Sequence, residues 1–147
     1  MDLDLHETAA NRLRAHDQRY TKNRRAIVDV LSASDRPLSV PELLDQGQRM
    51  PQSSVYRNMA LLEEAGIVHR IVGGDEYARY ELAEDLTDHH HHHLICSSCG
   101  AIEDVTLPAD LEKSVETVLK RTARRKGFEG THHRLDLFGV CARCRSG

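Results

Sequence analysis

The sequence predicts an α+β chain of two unequal parts: helices and a hairpin over residues 1–82, a polar segment at 83–88, and a strand–helix–strand unit over 89–147. Three observations carry that reading. Apolar residues recur at helical spacing up to Gly66 and then give way to β-rich runs. The segment Ala83-Glu84-Asp85-Leu86-Thr87-Asp88 interrupts both patterns and reads as a hinge. All four cysteines and a run of five histidines, His89 to His93, lie beyond it.

In the first part, Arg12, Arg14, Arg19, Lys22, Arg24 and Arg25 form a basic stretch opposed by Asp17. Ala26, Ile27, Val30 and Leu31 then fall on one helical face, which Asp35-Arg36-Pro37 ends. Ser39-Val40-Pro41-Glu42 predicts a second helix start: Ser39 caps the free amides, Glu42 completes a capping box, and Pro41 is tolerated in the first turn. After the turn at Met50-Pro51-Gln52, Ser53 or Ser54 is expected to cap a third helix running to Ala65. Val55, Met59 and Leu62 make its buried stripe, and Gly66 takes the positive φ of a C-cap. Ile67–Val72 and Tyr77–Leu82, joined by Gly73-Gly74-Asp75-Glu76, predict a hairpin. Helix, helix, helix, hairpin is the order of a winged helix-turn-helix domain.

In the second part, a strand from Leu94 to Val105 is interrupted by Cys-x-x-Cys-Gly. A helix follows from Pro108 to about Lys126, then a strand over His133–Val140. Leu111, Val115, Val118, Leu119 and Thr122 share a helix face, and Leu135 and Leu137 alternate with Arg134 and Asp136. So small a unit buries too little apolar surface to stand alone. It is therefore expected to be stapled by a metal and to pair with a second copy.

Composition narrows the function. The 147 residues are 29% charged and 39% hydrophobic, with 20 Lys and Arg against 23 Asp and Glu and a net charge of −3. That excludes a histone-like polycation. No apolar stretch approaches the roughly 20 residues that span a bilayer. Met1-Asp2-Leu3-Asp4-Leu5-His6 lacks the order of a signal peptide, so a cytoplasmic location and no membrane partner are expected. Reduced, paired cysteines there more often hold a metal than form a disulfide.

Cys96-x-x-Cys99 and Cys141-x-x-Cys144 have the spacing that lets two thiolates reach one tetrahedral ion at about 2.3 Å. Structural zinc is the first reading, giving a small C-terminal α/β dimerisation domain stapled by a zinc held on four cysteines; a redox dithiol is the competing one. If the histidine run leads into a strand, alternate side chains point to opposite faces. His90 and His92 then face the small domain, towards a helix carboxylate and His132 or His133. His91 and His93 look back towards His69 and Glu81 on the hairpin. Imidazole suits Zn, Fe and Ni alike, so residue types leave the ion open.

The segments Ser53–Ala60 with Glu64-Ala65-Gly66-Ile67-Val68, His89–Cys99-Gly100, and His132–Cys144 together resemble the ferric uptake regulator superfamily, from about Arg12 onward. The resemblance implies a homodimeric, metal-dependent DNA-binding transcription factor, usually a repressor of metal-homeostasis genes, and not an enzyme. It implies structural zinc on Cys96, Cys99, Cys141 and Cys144. It implies a regulatory site at the hinge on His69, Glu81, His91 and His93, with Asp104 as a substitute oxygen ligand. A second site is implied on His90, His92, Glu112 and His133, with Glu116 as the alternative to Glu112. Arg36-Pro37-Leu38 stands where iron- and peroxide-sensing relatives usually carry a histidine, and His69 matches a ligand position of zinc-sensing ones. Zinc is thus the first expectation at the regulatory site, ahead of Fe, Mn or Ni and of peroxide sensing.

With Val55, Met59 and Leu62 inward, the third helix offers Ser53, Ser54, Tyr56, Arg57 and Asn58 to DNA, and Arg19 belongs to a basic arm suited to the minor groove. The expected partner is double-stranded DNA with an inverted repeat, with no small organic substrate. The competing class is a metal-buffering or delivery protein that binds no DNA. A zinc hydrolase or deaminase is disfavoured, because neither His-Glu-x-x-His nor His-x-Glu before Pro-Cys-x-x-Cys occurs.

Overall fold

A computed structural model describes residues 3–46, 49–73, 77–87 and 90–146. The hairpin turn expected at 73–76 and the first histidine of the run, His89, fall wholly or partly outside them. The chain opens with a helix absent from the sequence reading, α1 (Leu3–Ala15), whose Leu5, Ala9 and Leu13 are buried at i, i+4 and i+8. α2 (Lys22–Ala33) follows, with Thr21 as N-cap accepting from the Arg24 amide. The short strand β1 (Leu38–Ser39) leads into α3 (Val40–Asp45), where Ser39 and Glu42 form the expected reciprocal capping box.

α4 (Gln52–Glu64) carries Val55, Met59 and Leu62 fully buried, as its spacing predicts. Its start differs from expectation. The N-cap is Pro51, whose carbonyl takes the Ser54 and Val55 amides, so Ser53 and Ser54 lie inside the first turn and neither caps it. Gly66, at φ 76°, ends the helix where a side chain would be strained. β2 (Val68–Val72) and β3 (Ala78–Leu82) pair antiparallel, and β1 adds to the other side of β3, completing the wing.

Within the expected hinge the chain forms one turn of helix, α5 (Glu84–Thr87), with Leu86 resting on the first core. β4 (His92–Cys96) and β5 (Ile102–Val105) are antiparallel across the first cysteine pair. α6 (Ala109–Arg125) follows, and β6 (Asp136–Gly139) returns parallel to β4, giving the order β5-β4-β6. β6 is shorter than the predicted 133–140. The Leu135 amide turns to His92 Nδ1, at 3.2 Å, and leaves the ladder before it reaches His133. α7 (Ala142–Ser146) carries the last cysteine.

The cores are unequal. Leu13, Ile27, Leu43, Val55, Met59, Leu62 and Ile67 are 0% exposed in the first. The second consists of Ile71, Ile95 and Ile102, and so borrows a residue from the wing. A Cβ on Gly73 would stand 3.1 Å from Ile95 Cγ2, which shows how closely the wing approaches the small sheet. Among the described residues, no helix is long and apolar enough to cross a membrane.

Candidate metal centres

Three groups of ligand atoms, each within 4.8 Å of one another, occupy the small sheet and its contact with the wing. The first is Cys96, Cys99, Cys141 and Cys144. β4 ends on Cys96, and the parallel return of β6 brings Cys141 beside it. Cys99 Sγ lies 3.8 Å from Cys141 Sγ, the edge of a sulfur tetrahedron of about 2.3 Å radius. Amides of Cys99 and Cys141 pull the Cys96 thiol down to about 6, whereas hydrogen bonding to Cys141 and burial push Cys144 up to about 12. Four sulfurs this close cannot all be thiolates without a cation among them. The donor set fits zinc.

The second group is His90, His92, Glu112 and His133. Glu112, in the first turn of α6, receives all three imidazoles: its Oε1 lies 2.7 Å from His90 Nε2, and its Oε2 2.9 Å from His92 Nε2. His133 Nε2 also meets Oε1, at 2.5 Å. Burial works to raise the Glu112 carboxyl, but hydrogen bonds from His92, His133 and His90 outweigh it and hold the pKa at about 2. The alternative carboxylate, Glu116, lies one turn on and pairs with Lys120 at 3.1 Å. His132 stays exposed beside Thr131. The Leu135 amide at His92 Nδ1 aims the His92 Nε2 proton at Glu112, so an ion entering at Nε2 must displace that proton. His90 turns its other nitrogen to Glu84 of α5, 2.8 Å away.

The third group joins the halves: Glu81 from β3 with His91, His93 and Asp104. Glu81 Oε2 lies 2.9 Å from His91 Nε2, and its Oε1 2.8 Å from His93 Nε2. Burial raises and these hydrogen bonds lower the Glu81 carboxyl, and the net effect is downward. The strand register explains the fourth member. Asp104 on β5 is the Cα partner of His93, which sets both of its oxygens 3.6 Å from the imidazoles. Burial pushes the Asp104 carboxyl up, and its Oδ1 has no hydrogen-bond partner. His93 Nδ1 meets Asp136 of β6 at 3.0 Å, leaving Nε2 for an ion.

His69 is the sequence-expected ligand that this group does not contain. It sits opposite Glu81 in the β2–β3 ladder, yet its ligand atoms stand apart from the four that converge. Its Nε2 is buried without a partner, and its ring lines a cavity of about 730 Å³ between the halves with Arg12, Glu63 and Arg134. Burial, then the nearby Arg134 charge, lowers its pKa. Asp136 and Glu84 are the outer partners of His93 and His90, a role the sequence does not indicate for either. The β4–β6 pairing that delivers Asp136 has no local signal.

At the other end of the molecule, Arg19, Ser53, Tyr56 and Arg57 are exposed and Ser54 is half-buried. Asn58 is tied inward, its Oδ1 accepting from Arg24 Nε at 3.0 Å.

A winged-helix unit joined to a small sheet that gathers three sets of metal-ligating side chains defines a metal-dependent transcription regulator. The chain belongs to the ferric uptake regulator family, whose model matches residues 15–138. It is 34% identical over 116 residues to the ferric uptake regulation protein of Bacillus subtilis, covering 79% of this chain and 72% of that protein. It is 31% identical over 149 residues to the peroxide-responsive repressor PerR of Staphylococcus epidermidis, covering 99% and 93%. Among solved structures it is similar to the Helicobacter pylori ferric uptake regulator, described as having three functional metal binding sites: TM-score 0.68, 28% identity, covering 95% of this chain and 93% of that one.

Proposed function

We propose that this protein is a homodimeric repressor of metal-homeostasis genes that grips an inverted-repeat operator when an ion fills the hinge group. The observation that carries the reading is the origin of the donors. Glu81 belongs to the wing of the DNA-binding half (1–82), while His93 and Asp104 belong to the small sheet of the C-terminal half (89–147) and His91 directly precedes it, across the linker at 83–88. An ion held by all four favours one angle between the halves, and an angle that suits both half-sites converts binding into DNA affinity. Arg19, Ser53, Ser54, Tyr56 and Arg57 supply the contacts, with Asn58 positioning Arg24. The exposed Leu111, Val118, Leu119, Leu137 and Phe138 on α6 and β6 offer an apolar face to a second copy.

Cys96, Cys99, Cys141 and Cys144 hold structural zinc in this reading, and His90, His92, Glu112 and His133 form a second site. We take zinc as the sensed ion. Four convergent side chains complete a tetrahedral shell, and zinc outbinds Fe²⁺ and Mn²⁺ at mixed nitrogen–oxygen sites. A second reading, Fe²⁺ or Mn²⁺, is favoured by Asp104, since two carboxylates harden the site relative to one containing His69. Titrating the metal-depleted dimer with each ion while following DNA retardation separates these readings. Wild type is expected to bind a duplex it selects from a random pool only when loaded, most tightly with Zn²⁺. His91→Ala is expected to lose the part of the metal dependence that the hinge group confers, with its fold intact. A metal-buffering protein would retard no duplex under any ion.

A further inference from the structure

α5 touches both halves with adjacent residues. Glu84 Oε2 lies 2.8 Å from His90 Nδ1, on the side of the ring away from Glu112. Asp85 takes a two-pronged bond from the Arg12 guanidinium of α1, at 2.6 Å from Nη2 and 3.3 Å from Nη1. The same Nη1 donates to the Gly66 carbonyl at 2.7 Å, where α4 ends. From the second group of imidazoles to the end of the DNA-contacting helix, the path is therefore His90, Glu84, Asp85, Arg12, Gly66. Each step is a charge-assisted contact or the next residue in the chain.

We propose that Glu84 is the positioning carboxylate of His90 and that α5 with Arg12 couples occupancy of the second site to the end of helix α4. The proposal rests on the second-site reading. An ion at His90 Nε2 leaves the ring proton on Nδ1 and strengthens its donation to Glu84. That bond fixes α5, which holds Asp85 where both prongs of Arg12 reach it and keeps Nη1 on the Gly66 carbonyl. Without the ion, α5 is free to shift, and the Arg12 fork loses one of its two anchors. Coupling of this kind is reciprocal, so operator binding tightens the second site by the same factor that second-site loading tightens operator binding.

The test uses the full-length dimer with zinc in its cysteine site, Co²⁺ as the spectroscopic probe, and a duplex selected by the wild-type protein. Co²⁺ affinity is measured with and without DNA, and DNA affinity with and without Co²⁺, in the wild type and in variants. His91→Ala serves as the background that silences the hinge group. In that background a coupling factor of about 5–150-fold is expected. Asp85→Asn, exposed and outside all three ligand groups, is expected to keep Co²⁺ binding to the free protein and bring the coupling factor towards one. Glu84→Gln is expected to weaken Co²⁺ binding itself by about 10–100-fold. Hydrogen exchange at Ala65–Ile67 is expected to slow on Co²⁺ loading in the wild type and to be unresponsive in Asp85→Asn. Co²⁺ binding that depends on His90 and Glu112, with a coupling factor indifferent to Asp85→Asn and Arg12→Gln, overturns the proposal and spares the second site. Co²⁺ stoichiometry unchanged by His90→Ala and Glu112→Ala overturns both.

Discussion

In the N-terminal half, Leu13, Ile27, Val28, Leu43, Val55, Met59 and Leu62 are sealed from solvent by α1–α4 and the wing. In the C-terminal half, Ile95 and Ile102 form a small cluster with Ile71 of the wing, while α6 has no buried residue and β6 is exposed along its length. The same chain thus solves the stability problem twice. One half excludes water from side chains. The other gathers polar ligands around positions an ion can fill and leaves its apolar face for a partner. In the function proposed above, the half built around ligand groups reports on the ion, and the half with a filled core is the body whose angle the ion sets.

The widest separation between the halves is expected from Cys96→Ser. Structural zinc sites contribute on the order of 10–16 kcal/mol to small domains. Loss of one sulfur is expected to abolish hydrogen-exchange protection in β4–β6 and α6 while α2–α4 keep theirs. Equal loss of protection in both halves would show that the wing and small sheet fold as one unit. Met59→Ala tests the opposite half. Truncating a buried Met costs about 2–5 kcal/mol, and here it is expected to lower the thermal midpoint of α1–α4 with zinc content unchanged, read by calorimetry beside elemental analysis.

The contrast also explains what could be read in advance. Periodicity and caps are local, so α3 with its Ser39–Glu42 box, the stripe of α4 and the Gly66 stop were legible. The alternation that sends His91 and His93 one way and His90 and His92 the other is equally local, because neighbouring strand residues must face apart. α1 is legible in principle, through Leu5, Ala9 and Leu13, but its basic residues speak first of the chain's charge. Asp104 was legible as a substitute ligand, but that it rather than His69 joins the group was not. Which carboxylate meets His93 depends on the β4–β5 register across the cysteine turn, and the position of His69 depends on how the wing meets the small sheet. Both are relations between distant segments, invisible to spacing rules. Glu112 rather than Glu116 had the same difficulty, since both lie on one face of α6 and only the return of His133 selects between them.

The smallest effect is expected from Glu42→Gln, and it falls within the well-packed half alone. Glu42 accepts the Ser39 amide through Oε1 at 3.0 Å and pairs with Arg36 through Oε2 at 2.6 Å. Burial works to raise its carboxyl, but the Ser39 amide and Arg36 outweigh it, so the folded pKa lies below the ordinary value. A depressed carboxylate contributes stability that is fully present above the unfolded pKa of about 4.3 and is lost as pH falls through the lower folded value. Gln keeps an acceptor for Ser39 but has no charge for Arg36. The variant is therefore expected to melt slightly below wild type at pH 7, by the equivalent of at most about 1 kcal/mol for a half-exposed pair. The gap is expected to close as pH falls below about 4, read from paired thermal scans across pH. Because the capping box contains no member of the three ligand groups, adding or removing Zn²⁺ is expected to leave that gap unchanged. A gap that widens on metal removal would mean the small sheet transmits its state as far as α3, and the division between the halves drawn from their cores would have to move.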